Sequence, residues 1–103
     1  MNKYQSGLDN NQIRAFRLKS TFRQKDLADI MGFEVIDRIS HWEKGRAQPG
    51  LINVIKLCKI YGVTVDDLYP QLCKQIEEEI QESKNRNFIK TLMGNSSDTP
   101  HTS

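Results

Sequence analysis

The sequence predicts an all-α fold, in which a domain of five short helices is followed by a C-terminal helical extension. Apolar residues recur three and four positions apart in successive segments, which is the spacing of one helix face. Three of these segments are followed by Gly32, Gly45 and Gly62, and glycine commonly ends a helix. No alternating strand pair, internal repeat or glycine-rich phosphate loop interrupts the pattern.

The N-terminal residues 1–11 carry little that could be buried, so we expect them to be flexible. The first helix is predicted over residues 12–19, where Ile13 and Phe16 lie on one face. The second is predicted over Gln24–Met31, with its apolar residues at i, i+1 and i+4.

The third helix is predicted over residues 36–44 rather than a strand, despite the β-branched residues before it. Ile39 and Trp42 are three positions apart and share a face, and the spacing of Val35 allows it to join them.

The fourth predicted helix is the most hydrophobic, and Pro49 and Gly50 precede it. Its inward stripe is predicted to consist of Leu51, Val54, Ile55, Cys58 and Tyr61. The fifth helix is short, with Thr64 as N-cap and two aspartates in its first turn, and it completes a domain of residues 12–69.

Residues 70–93 are predicted to form the helical extension, which Pro70 begins. Leu72, Ile76 and Ile80 are four apart in an otherwise polar run. Because this stripe is narrow, the extension is either a lid on the domain or one side of a self-association seam. Residues 94–103 have nothing to bury and are expected to be disordered.

Length and charge limit the class of protein. At 103 residues, the chain is long enough for one small domain and too short for two ordinary ones. Residues 12–49 carry eight Lys or Arg against five Asp or Glu, a net +3. Residues 70–103 carry four against five, a net −1. The basic bias of the first half is compatible with a nucleic-acid partner.

The sequence gives no indication of a membrane segment, a metal site or an enzyme. No window approaches the ~18 apolar residues of a membrane span. Cys58 and Cys73 are too far apart for a redox motif, and further zinc ligands are lacking. A nucleophile with its base, paired carboxylates or a cofactor loop cannot be assembled. We therefore expect a cytoplasmic protein without catalysis, metal or cofactor.

The second helix, the turn at Gly32 and the third helix have the order of a helix-turn-helix, in which the second member enters the DNA major groove. The stretches QKDLADIMG, RISHWEKGRAQP and LINVIKLCKIYGVTVDDLY resemble the phage-repressor and Cro-like helix-turn-helix family, often called the XRE family. The resemblance runs from Ile13 to about Tyr69. It implies a lambda-repressor-like fold for residues 12–69 and binding to double-stranded DNA.

Two departures from the family pattern affect the site. The stretch GFEVIDRIS carries one extra residue before the third helix, which resembles a subset of the family with a longer turn. The extra residue thus leaves two neighbouring positions open for the side chain that leads into the major groove. Arg23 stands where the family commonly has a Ser or Thr cap, so either the cap is lost or Arg23 contributes a phosphate contact.

Trp42 follows Ile39 by three positions, so the two side chains point in the same direction. We interpret Trp42 as a core residue that holds the helix on the domain rather than as a base-stacking residue. The resemblance implies that Glu43, beside it, pairs with Arg17 of the first helix. If this pair is partly buried it is costly to break, whereas a surface pair contributes less than about 1 kcal/mol.

The other sides of the third helix are polar, and the resemblance implies that they read DNA. Arg38 and Lys44 suit guanine, and Ser40 and His41 can bond to a base or a phosphate. Asp37 accepts from cytosine or simply favours the helix N-terminus. The predicted phosphate contacts, which give affinity without sequence information, are Arg23, Gln24, Lys25 and Arg46.

The sequence is therefore interpreted as a transcriptional regulator, a repressor that inserts the third helix into its operator as a homodimer. The dimer surface is predicted either around Tyr61, Val63 and Tyr69 or along the 70–93 stripe. The alternative is a protein-binding regulator of the same fold, antirepressor-like or antitoxin-like, whose partner binds the segment 70–93. Basic residues on the third helix favour the first interpretation.

Overall fold

A computed structural model describes residues 2–93, and in this range the chain forms seven α-helices and no strand. The predicted all-α fold class is confirmed. The helices are α1 (Gln5–Asp9), α2 (Ile13–Lys19), α3 (Gln24–Met31), α4 (Asp37–Glu43), α5 (Leu51–Tyr61), α6 (Val65–Leu68) and α7 (Pro70–Leu92). The five helices predicted for the domain correspond to α2 to α6. The tail predicted as disordered, 94–103, lies outside the described residues.

One fully buried side chain from each of α2 to α6 makes the centre of the core. This arrangement makes each short helix depend on the other four, since a helix of four to eleven residues has little stability of its own. The five residues are Ile13, Leu27, Ile39, Leu57 and Leu68.

The predicted inward stripe of α5 is wrong in part. Leu51 is 73% exposed and Ile55 is also exposed, whereas Leu57, which the stripe left out, is 0% exposed. Val54, Cys58 and Tyr61 are half-buried against the core. The reason is that α5 carries apolar side chains around most of its circumference, so its packing against α2 and α6 selects the buried face.

The prediction that residues 1–11 are flexible is wrong for α1, which packs against α7. Leu8 is buried, and Gly7 lies so close to α7 that an ideal Cβ would be 2.9 Å from Leu72 Cα. Tyr4 donates its hydroxyl hydrogen bond to Glu79 at 2.8 Å. A five-residue helix with one large apolar side chain lacks a periodic pattern, so contacts distant in sequence stabilise it.

The extension α7 has two halves with different surroundings. Its first half packs against α1 and α6, while residues 80–93 are all exposed. The described chain measures 60 × 26 × 22 Å along its principal axes, which reflects this long helix. None of the helices in residues 2–93 combines the length and apolarity needed to span a membrane.

Leu57→Ala is expected to lower the free energy of unfolding by about 2–5 kcal/mol, because it leaves a cavity where the short helices meet. Leu51→Ala removes the same atoms from an exposed position on the same helix and should change it by less than about 0.5 kcal/mol. Urea denaturation followed by circular dichroism measures both variants. Equal losses would contradict the placement of Leu57 in the core.

Candidate nucleic-acid interface

The helix-turn-helix consists of α3, the turn 32–36 and α4. Gly32 has φ +82°, a left-handed conformation that ends α3, and the amide of Phe33 donates to the Ala28 carbonyl at 2.8 Å. This local geometry redirects the chain so that α4 packs against both α2 and α3.

The inner face of α4 is anchored by Ile39 and Trp42, which are both buried. The ring of Phe33, in the turn, meets the Trp42 ring edge-on with centroids 5.7 Å apart. Trp42 thus lies in the core, at the position that its spacing with Ile39 predicts. Val35 does not join this face, because its side chain is exposed.

A desolvated ion pair fixes the end of α4 to α2. The side chains of Arg17 and Glu43 are 9% and 3% exposed, and Arg17 Nε lies 2.6 Å from Glu43 Oε2. A second bond joins Arg17 Nη2 to Glu43 Oε1 at 3.1 Å, so the contact is bidentate. The hydrogen bonds that Arg17 donates to Glu43 raise the pKa of Arg17, against the opposing effect of burial.

Two further groups complete this clamp. Arg17 Nη1 donates to the Phe22 carbonyl at 2.9 Å, and the Gln24 amide nitrogen donates to Glu43 Oε1 at 3.0 Å. The polar atoms of the pair are therefore well supplied with partners where water is excluded, as a buried pair requires. Gln24, predicted to contact phosphate, has its amide nitrogen directed at Glu43.

The outer side of α4 and its C-terminal exit carry the predicted base-reading residues. Asp37, Arg38, His41 and Lys44 are exposed, and Ser40 is half-buried. Because Ile39 and Trp42 face the core, these side chains share the surface that α4 presents outward.

Arg38 has an aromatic support that the sequence did not indicate. Its guanidinium carbon lies 4.5 Å above the centroid of the Phe33 ring and 5.9 Å from that of Trp42. A cation over an aromatic face is attracted by the ring quadrupole. Phe33 therefore makes an edge-on contact with the Trp42 ring and supports the Arg38 guanidinium over its face.

Two of the predicted phosphate-contacting residues near α3 form ion pairs with acidic neighbours. Arg23 pairs with Asp26 at 3.0 Å, and Asp26 also accepts from the Arg23 backbone amide at 2.8 Å. The bond from the Arg23 amide to Asp26 is one of the two hydrogen bonds of a capping box at the start of α3. Arg23 holds the pKa of the Asp26 carboxyl below its usual range. Lys25 lies 3.7 Å from Asp29, and Arg46 is exposed beyond α4.

The N-terminal segment supports the C-terminal end of α4, which sequence reasoning missed. The Asn11 side-chain amide donates to the Trp42 carbonyl at 2.9 Å, and that of Gln5 donates to the Gly45 carbonyl at 3.3 Å. Gly45 has φ +72°, and a Cβ there would fall within 2.8 Å of Asp9 Cα. A residue with a side chain would clash at this position, so the glycine ends α4 and admits α1.

A family model described as helix-turn-helix matches residues 13–68, which is more than half of the chain. The chain belongs to the XRE family of helix-turn-helix proteins. It is thereby a DNA-binding regulator of the XRE type, and the family is generally non-enzymatic. No curated protein and no solved structure matches the chain.

In this XRE-family protein α4 occupies the place of the recognition helix, and two apolar residues adjoin it. Val35 and Ile36 precede α4 and are exposed. Apolar contact with thymine methyl groups is one way in which a protein reads a base pair. The sequence signal for them was a pair of β-branched residues directly before α4. In residues 2–93, no three His, Cys, Asp or Glu side chains cluster as metal ligands would.

Glu43→Ala is expected to lower the free energy of unfolding by roughly 3–5 kcal/mol, because Arg17 and Gln24 lose their acceptor in a dry site. Asp37→Ala, at the exposed start of the same helix, should cost less than about 1 kcal/mol. Thermal melting of both variants measures the difference. If the two melting temperatures are the same, the pair contributes no more than a surface contact.

Tyr61, whose ring stacks with Phe16 at 6.0 Å, has a buried hydroxyl without a hydrogen-bond partner among the described residues. Burial and, secondarily, the charge of Glu43 raise the pKa of Tyr61 to about 12. Tyr61→Phe is therefore expected to leave the melting temperature unchanged or to raise it, because it removes only the unpaired group. A loss above about 1 kcal/mol in denaturant titration would contradict this description of the hydroxyl.

Proposed function

We propose that this protein is a repressor that binds a specific operator by inserting α4 into the major groove. The observation that carries the proposal is the two-sided character of α4. Its inner residues are fixed by the core and by the Arg17–Glu43 clamp, and its outer side exposes Arg38, His41 and Lys44. A rigid helix with an exposed polar side is what direct readout of base edges requires.

In this proposal the contacts divide into two classes. Arg38 and Lys44 donate to guanine, His41 and Ser40 bond to bases or phosphates, and Asp37 accepts from cytosine. The phosphate contacts come from Arg23, Gln24, Lys25 and Arg46, and they set register and affinity. The support of Arg38 by Phe33 favours base readout by this residue, because less side-chain freedom is lost on binding.

The proposed active form is a dimer on two half-sites about 34 Å apart. A seven-residue α4 reaches only a few base pairs, and the net +3 of residues 12–49 supplies limited nonspecific attraction. Two copies multiply both contributions. Repression then needs only occupation of the operator, since a bound dimer excludes polymerase from an overlapping site.

Selection from a random double-stranded DNA pool tests this proposal. We expect enrichment of a palindrome with half-site centres about 10 base pairs apart, or a multiple of this spacing. Absence of enrichment at low salt would overturn sequence-specific binding. Enrichment of a single, non-repeated site would retain DNA binding and overturn the dimeric operator.

Two substitutions separate the classes of contact on the selected operator. Arg38→Ala should cost about 1–3 kcal/mol per half-site and relax the preference at one base pair. Arg46→Gln should weaken binding to all sequences and reduce the salt slope by about 0.9 per protomer. Gel-shift titrations over a range of salt concentrations measure both effects.

The matched control is Lys74→Gln, an exposed basic residue on α7 that should leave affinity and slope unchanged. An unchanged base preference in Arg38→Ala would contradict its assigned role. If Lys74→Gln weakened binding as much as Arg46→Gln, the phosphate contacts would not be specific to the α4 side of the domain.

A further inference from the structure

The helix α7 presents two faces, and only one of them is covered by the domain. Leu72 packs against Gly7, Gln75 donates to the Lys3 carbonyl at 3.1 Å, and Glu79 accepts from Tyr4. These contacts hold the first half of α7 against the N-terminal segment and α1. They leave the rest of the circumference of α7 uncovered.

On the uncovered side runs a row of three residues spaced four apart, Ile80, Lys84 and Phe88. Ile80 is 51% exposed and Phe88 is 64% exposed, whereas the helical turn carries Ile76 and Leu92 away from this side. Lys84 occupies the central position of the row. Large apolar side chains that are exposed together on one side of a helix are typical of a binding surface.

A shallow, open groove of about 340 Å³ lies beside Ile80, between α6 and α7. Its apolar lining comes from Cys73, Ile76 and Ile80, and its acidic rim from Asp66 and Glu77. An aromatic side chain that approaches the row from another molecule has room to enter this groove.

We propose that the row binds the same row of a second copy, with the two α7 helices antiparallel and a two-fold axis at Lys84. The row is symmetric about that residue, so Ile80 of each copy lies opposite Phe88 of the other. The same patch is then used by both copies, as a two-fold interface requires. Rows of residues four apart pack into one another in the commonest class of helix pair.

The charges of α7 favour this partner and this direction. On the N-terminal side of Lys84 it carries one lysine, Lys74, and four glutamates, a net −3, whereas the C-terminal side carries Arg86 and Lys90, a net +2. Antiparallel pairing brings the acidic half of each copy beside the basic half of the other. Parallel pairing would bring four glutamates beside four. The second copy is therefore the occupant that the charge pattern favours.

Lys84 is the one long charged side chain in the row, and at the axis it meets its own counterpart. Its aliphatic stem can cover the apolar contact while the ammonium group turns towards the glutamates of the other copy. This position weakens the dimer relative to a fully apolar row.

This inference rests on the proposed function, for which it supplies the dimer. Of the surfaces predicted around the end of α5, Tyr69 is buried in the core and cannot serve as an exposed contact, and Tyr61 and Val63 are half-buried. The row on α7 is exposed and continuous with the end of the helix that projects from the domain.

Sedimentation equilibrium of the full chain, without DNA, tests the pairing. Ile80→Asp and Phe88→Asp should each weaken dimerisation at least about 100-fold, because each places two charges in the apolar contact. Both residues are exposed in the single chain, so the melting temperature extrapolated to low concentration should not fall. Ile52→Asp, at an exposed apolar position of α5, is the matched control and should leave dimerisation unchanged.

A gain-of-association variant tests the position of the axis. Lys84→Leu should tighten the dimer by roughly tenfold, because it makes the row continuous. Lys56→Leu makes the same chemical change at an exposed position of α5 and should have no such effect. Equal tightening by both variants would show general stickiness and overturn the assignment of the axis.

Other outcomes have equally definite meanings. A chain that stays monomeric at 100 µM or above, or a dimer that only Ile52→Asp disrupts, would overturn the pairing. A monomeric wild-type chain that still selects an operator would leave the proposed DNA binding intact and give the row to a different protein. Dimerisation through α7 without operator selection would sustain the pairing and overturn the proposed function.

Discussion

The bidentate contact between Arg17 and Glu43 is the interaction on which the recognition geometry depends. Two charges removed from water are tolerable only when hydrogen bonds replace most of the lost solvent, and here Phe22 and Gln24 provide such bonds. The pair therefore connects α2, the start of α3 and the end of α4 in a single arrangement. A sliding or rotated α4 would leave a charge buried without its partner.

This constraint matters because α4 is only seven residues long and could not hold its shape alone. It is held from three sides: by Ile39 and Trp42 in the core, by the clamp at Glu43, and by Asn11 at its last carbonyls. Each support acts on backbone or on inward side chains. The outward side chains are left exposed for the proposed contacts with DNA, with Arg38 alone resting on an aromatic ring.

The helix α1 joins the two parts of the protein to which we assign binding. It contacts the C-terminal end of α4 through Gln5 and Asp9, and it packs on α7 through Gly7. The proposed DNA-reading surface and the proposed dimer surface therefore share one small support. In a dimer of this kind, the spacing of the two α4 helices would be set through contacts that α1 makes.

Several features of this fold could be predicted from the sequence because they are local. The bounds of α3 follow from its apolar spacing and from Gly32, which must adopt a positive φ at its end. Trp42 and Ile39 could be placed in the core because residues three apart share a helix face. The clamp came from a family resemblance rather than from spacing, since Arg17 and Glu43 are 26 positions apart.

What the sequence determined by itself was the succession of helices from α2 to α7, the glycines that end α3 and α5, the Thr64 cap of α6 and the two-sided character of α4, because these depend on neighbours within about four residues. The tertiary structure decided which apolar side chains of α5 are buried, since Leu51 and Leu57 are chemically identical and only the packing of other helices distinguishes them. It also decided that residues 5–9 form a helix and that Arg38 rests on Phe33. The helix at residues 5–9 is stabilised by contacts with helices distant in sequence, and no local pattern encodes such contacts.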